Sequence, residues 1–333
     1  MPNTEKAYRN VDPLSELAED EILDFEKAHG LWFDDADVIF RAGSKAFRVH
    51  RSILSARSTV FNDMFSVPQA SQAMNLPKDG KVTIVHLPDT EMDIYFFFSA
   101  IFDASYFEPP PSSPPLEVIV SILRLSHKYD VPFLKQRSAA HLEKLFPLDK
   151  ERFSAVIQEL SLASGSPEDV FRMVQCYLEL ALLSNVVDVQ WILPTLFLML
   201  SQYPLPVILS RDGWANLPAS VQAEYLIFRE GYMDALISAM GWLAALPAQN
   251  CVNKPTCHLH ATLLSRKYYY TLGVRPSYTP STVVMGGSFC TACITEAERC
   301  LKIAQNKRWS KYPQLLGFSG WDALRKMKTE SGL

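Results

Sequence analysis

Two periods run through this chain. In "DVIFRAGSKAFRVH", Val38 and Phe40 alternate with Ile39 and Arg41, and Ala46 to Val49 alternates again. Between them Ala42-Gly43-Ser44-Lys45 supplies turn chemistry, so the stretch predicts a β-hairpin. "KVTIVHLPD", residues 81–89, predicts a third strand, with Val82, Ile84 and Leu87 apolar and Pro88 ending it. "FRVHRSILSARSTVFNDMF", residues 47–65, changes period in its middle. Phe47 and Val49 alternate with Arg48 and His50; then Ile53, Leu54, Phe61, Met64 and Phe65 recur at helical spacing.

From residue 90 the helical period dominates. In "TEMDIYFFFSAIF", Thr90 and Asp93 form a capping pair. Met92, Tyr95, Phe96, Ser99 and Ala100 make one stripe, flanked by Phe97, Phe98 and Ile101. A helix apolar on most sides belongs in a core. "EPPPSSPP", residues 108–115, can only be a surface loop. Helix resumes at Leu116, with Ile119, Val120, Leu123 and His127 on the same face, and again at Pro132. After Pro147 strand signals vanish. Helices are predicted over about 151–163, 168–184, 187–201, 204–211 and 218–245, with "SPED" a helix start. From Pro247 the chain is loop-like and rich in Cys and His, then ends in a basic helical tail. Residues 1–32 read as a flexible segment, apart from a short helix around Leu14 to Phe25.

Composition narrows the classes. Of 333 residues 48% are hydrophobic and 20% charged, which excludes global disorder. A net charge of −4 gives no pull toward nucleic acid or an anionic membrane. "WILPTLFLML", residues 191–200, is too short to span a bilayer and holds Pro194. The opening "MPNTEKAYRN" has no apolar core and is not a signal peptide. An intracellular protein is expected, cytoplasmic or nuclear, with its six cysteines reduced or metal-bound. No nucleophile elbow, P-loop, dinucleotide fingerprint or H-E-x-x-H occurs. No enzyme is therefore expected, and neither catalytic nor cofactor-binding residues.

The order hairpin, short helices, strand, buried aromatic helix, loop and helix pair resembles a BTB (POZ) domain. "DVIF", "FRVHRSILSARSTVFNDMF", "VHLPD" and "LSHKYDVPFLKQRSAAHL" carry the resemblance over residues 33–145. The later helical part is similar to that of BTB proteins of mushroom-forming fungi, where such a segment ends in scattered cysteines. The resemblance implies an α+β fold for 33–145, a small sheet flanked by helices. A helical domain, 148–246, follows, with a Cys/His-containing segment, 247–333, packing on it. It implies protein–protein interaction, by partner binding or self-association. It makes His50 a structural residue at the start of a helix, and gives packing to His127. It matches Arg51 to a basic position that faces Asp37 near a dimer groove; the alternative is a solvated first-turn arginine. Relatives that recruit a cullin carry an apolar-x-Glu motif where this chain has "SVPQASQAMNLPKDG", without glutamate. A ubiquitin-ligase adaptor and a zinc-binding, transcription-linked regulator remain as alternatives. Expected partners are proteins, a second copy included; neither membrane nor nucleic acid is expected.

One cluster could carry metal chemistry. Cys251 and Cys257 lie in "CVNKPTCHLH", and Cys290 and Cys293 in "CTAC". A C-x2-C pair brings two thiolates to one ion from a tight turn, and two pairs complete a tetrahedral zinc site. Gly286 and Gly287 suit such a turn, and His258, His260 and Cys300 are alternates. Plain reduced cysteines are the competing reading. A redox centre is disfavoured because no βαβ pattern surrounds the pair. Cys176 reads as a packing residue. The basic positions Lys302, Lys307, Arg308, Lys311, Arg325, Lys326 and Lys328 read as a solvated helix face.

Overall fold

The computed structural model describes residues 25–67, 73–76, 80–162, 166–239, 243, 245–271 and 289–332. The chain divides into two compact units, Met1–Ser138 and Ala139–Leu333. The helix expected around Leu14 lies outside the described residues, apart from Phe25 at its end, and so do Gly286 and Gly287.

The first unit is built on β1 (Glu26–Trp32), β2 (Val38–Ala42), β3 (Lys45–Val49), β4 (Ala73–Leu76) and β5 (Gly80–His86), in the order β1-β3-β2-β5-β4. The sheet is mixed: β2 pairs antiparallel with β3 and parallel with β5. The hairpin forms as expected, turning at Gly43, whose φ of +55° suits glycine. Two strands were not foreseen. β1 falls inside the stretch assigned as flexible; Gly30, at φ +76°, breaks its alternation, so its buried residues, Ala28 and Leu31, are three apart rather than two. β4 lies in "SVPQASQAMNLPKDG", whose turn-forming composition hides an edge strand.

The helices of this part of the chain are α1 (Arg51–Arg57), α2 (Thr59–Ser66), α3 (Glu91–Phe102), α4 (Leu116–Lys128) and α5 (Pro132–Leu145), the last running on past Ser138. Phe40, Phe47, Phe61, Phe97 and Phe98 are all fully buried. Their rings converge on Phe98: Phe40 at 5.3 Å, Phe47 at 5.8 Å, Phe97 at 6.0 Å and Phe61 at 6.2 Å between centroids. Each ring removed from water contributes about 1.5–3 kcal/mol, and edge contacts add to this. The buried face of α3 is Ile94, Phe97, Phe98 and Ala100, whereas Met92 of the expected stripe is 47% exposed. With apolar residues on nearly every side, spacing alone could not orient this helix. Its orientation is marked instead by Asp93, which meets Arg124 of α4 at 2.6 Å. His127 is exposed rather than packed, and Tyr129 takes the packing role, its ring 4.7 Å from Phe61.

The second unit is helical: α6 (Lys150–Leu162), α7 (Pro167–Leu183), α8 (Leu193–Leu200), α9 (Leu205–Leu209), α10 (Asp212–Asn216), α11 (Ala219–Ala239), α12 (Lys254–Thr271), α13 (Thr291–Lys311) and α14 (Trp321–Glu330). Ser166 and Asp169 form the capping box that opens α7, with Pro167 at its first position. α8 is wholly buried, as its unbroken apolar run requires. No described helix is long and apolar enough to cross a membrane.

Candidate functional site

Two helix starts and one loop bring four sulfurs together. Asn253 precedes α12 and its side-chain oxygen accepts the Thr256 N–H, capping the helix. This places Cys257 in the first turn and leaves Cys251 in the loop before it. Cys290 is the N-cap of α13, and Cys293 lies three residues on, in the same turn. The four sulfurs all lie within 4.8 Å of one another, with Cys251 and Cys290 at 3.7 Å. All four cysteines are free thiols. Cys257 and Cys293 are buried to about 1% exposure or less, and Cys251 and Cys290 are half-buried.

Apolar residues surround the sulfurs: Leu243, Leu246, Ala248, Ala261, Phe289 and Ala297. Backbone N–H groups point inward. Ala248 N–H donates to Cys293 Sγ at 3.3 Å, and Cys290 N–H to Cys257 Sγ at 3.5 Å. The N–H groups of Cys293 and Val252 hold the Cys290 thiol down to about 6. The helix N-terminus favours thiolate in the same sense. Burial pushes Cys293 up to about 12 and raises Cys251. A cation among the sulfurs would favour their thiolate forms.

The alternates do not join this group. His258 is exposed on α12, His260 packs its ring 5.9 Å from Phe289, and Cys300 sits 3.4 Å from a Glu296 carboxylate oxygen. Cys176 is buried in α7. The inward N–H of Ala248 escaped the sequence reading, because a backbone donor leaves no side-chain signature.

In the first unit, Asp37 Oδ1 accepts the backbone N–H of Arg51 at 2.9 Å, supplying the cap that the His50 side chain does not give. The Arg51 guanidinium turns elsewhere. It donates to the Phe65 carbonyl and lies 4.7 Å from the Phe65 ring centre. Asp37 and Arg51 are thus joined through the backbone, and both are exposed in the single chain. His50 is half-buried, 5.4 Å from the Phe33 ring and 3.5 Å from Asp35.

A polar clasp behind this corner joins two of the sequence motifs. Asp89 of "VHLPD" accepts from Lys128 Nζ at 2.6 Å and from the Tyr129 hydroxyl at 2.5 Å, both of "HKYD". The Tyr129 carbonyl accepts from Ser58, whose oxygen also caps α2 by accepting the Phe61 N–H. Burial and the Asp89 carboxylate raise the Tyr129 hydroxyl far above its ordinary range, so it stays a donor. These motifs thus act as internal ties. Residues 31–145 match the model of the BTB/POZ domain family. No curated protein matches the chain.

Proposed function

We propose that the BTB/POZ region, residues 31–145, binds a protein partner, and that Cys251, Cys257, Cys290 and Cys293 hold one structural zinc ion. BTB/POZ domains generally mediate protein–protein interaction. The observation that carries the first reading is a closed ring nucleus whose covering helices still leave apolar side chains in water. Ile53 of α1 is 38% exposed, and Val60 of α2 39%. α1 also presents Arg51, and Asp37 caps that helix, so a second copy of the chain is one partner this corner suits. Light scattering on the full chain, with affinity capture, tests this. Association that is lost in Arg51→Glu/Ile53→Asp with unchanged circular dichroism is expected. A monomer at every concentration, capturing nothing that these substitutions abolish, would overturn it.

The sulfur geometry supports the second reading. Zinc–sulfur bonds of about 2.3 Å in a tetrahedron set the sulfurs about 3.8 Å apart, and Cys251 and Cys290 stand at 3.7 Å. The inward N–H groups offset the charge of the thiolates. Four protein ligands fill a tetrahedral ion, so the site suits a structural role rather than catalysis. Bound there, zinc supplies a cross-link between the start of α12 and the start of α13. Cobalt substitution reads the ligand set directly: tetrahedral thiolate bands are expected, and bands of an octahedral oxygen-ligated ion would contradict the assignment.

A further inference from the structure

Apart from Lys302, the basic positions singled out near the end of the chain fall into two groups. Arg325 pairs with Asp322 at 2.6 Å, Lys326 with Glu330 at 3.6 Å and Lys328 with Glu143 at 2.5 Å. Lys307, Arg308 and Lys311 form no ion pair among the described residues. Lys311 lies one turn from both Lys307 and Arg308 on α13, where like charges repel. This stretch borders a cavity of about 350 Å³ between α11 and α13, at the lower end of the range for small-molecule sites.

The cavity has an apolar floor and a cationic rim. Ala235, Ala304, Leu315 and the Tyr312 ring form the floor. Leu315 reaches it because residue 231 is glycine: a Cβ there would stand 2.6 Å from a Leu315 methyl. Three cations and one acid, Asp234, line the opening, an excess of two positive charges. Arg308 is the most informative. Its Nε is buried and has no hydrogen-bond partner among the described residues. Its charge acts on Tyr232 and Tyr312, both raised chiefly by burial, Tyr312 to about 12. Both are neutral phenols at physiological pH, and neither offsets the guanidinium. Arg308 as a whole is half-buried, so the part of it that lines the cavity is not the covered Nε, and the charge it presents there is what an anion would meet.

We propose that this cavity binds a small organic anion, a carboxylate head on a short apolar body. The head meets Arg308 and Lys311, and the body lies against Ala235, Ala304 and Leu315. An arginine fork suits a planar carboxylate, and the apolar floor discriminates against acetate or inorganic phosphate. The inference is independent of the zinc and partner-binding readings.

The test titrates full-length protein with hexanoate, hexanamide and acetate, followed by isothermal calorimetry and amide chemical shifts. Saturable hexanoate binding is expected, with shifts confined to α11 and α13, and at least tenfold weaker binding of hexanamide and acetate. Arg308→Gln and Lys311→Gln each weaken hexanoate about tenfold, the effect of one lost charge-assisted hydrogen bond. Lys311 is exposed, so its variant folds even if Arg308→Gln does not. Equal binding of hexanamide, no binding at all, or wild-type affinity in folded Lys311→Gln would overturn the proposal. So would an acidic peptide that binds here while hexanoate does not, because the occupant would then be a protein.

Discussion

The ring nucleus of the first unit and the sulfur cluster of the second solve one problem by different means. Around Phe98, four further phenylalanines bury enough apolar area to order the sheet and its covering helices. Around Cys293, the buried neighbours include Ala248, Ala261 and Ala297, with Leu243, Leu246 and Phe289 the larger side chains. A core of small residues buries little area, and small cores need a staple. Burial holds the first region together; on the proposed zinc reading, a polydentate cross-link holds the second.

Metal removal should separate the two most strongly. A chelator is expected to abolish amide protection at the starts of α12 and α13 while leaving residues 31–138 protected. Structural zinc contributes about 10–16 kcal/mol in isolated finger peptides at pH 7. The apolar neighbours here make that an upper bound. Hydrogen exchange measures the contrast, and uniform loss over both units would remove it. Because the thiols must ionise to bind metal, affinity falls as pH falls.

Next in size is Phe98→Ala, expected to cost about 3–5 kcal/mol and to unfold the first unit in lower denaturant. Metal content should not change. Tyr129→Phe should cost about 1.5–3 kcal/mol, because Asp89 loses one donor but keeps Lys128. Chemical denaturation of the same unit reads it. Smallest is a charge effect one turn beyond Cys293. Arg299 holds the Glu296 carboxyl down to about 2 from 4.5. A depressed carboxyl contributes stability that is complete above pH 4.5 and lost as pH falls toward 2. Carbon-detected titration should give that low midpoint, and Arg299→Gln should raise it toward the ordinary glutamate value, with the Cys300 contact still lowering it.

Much of the first unit was legible in the sequence because alternation and turn chemistry coincide there. Gly43-Ser44 between two alternating runs specified the hairpin, and Ser166-Pro167 the start of α7. β1 and β4 were not legible. One is broken by Gly30 and the other lies among turn-forming residues, so neither shows the period of two. The burial of Arg48 was hidden as well: its Nε donates to the Ala36 carbonyl at 3.0 Å, a partner that alternation cannot reveal. Residue type and the C-x2-C spacing brought Cys251, Cys257, Cys290 and Cys293 together as one candidate set. Their convergence depended on two helix caps, Asn253 and Cys290, that spacing could not place.

Native mass spectrometry of the folded full-length chain tests the contrast most directly. One zinc per chain is predicted, retained in Phe98→Ala and lost in Cys257→Ser and Cys293→Ser. Zinc-free protein with the starts of α12 and α13 still protected from exchange would contradict it.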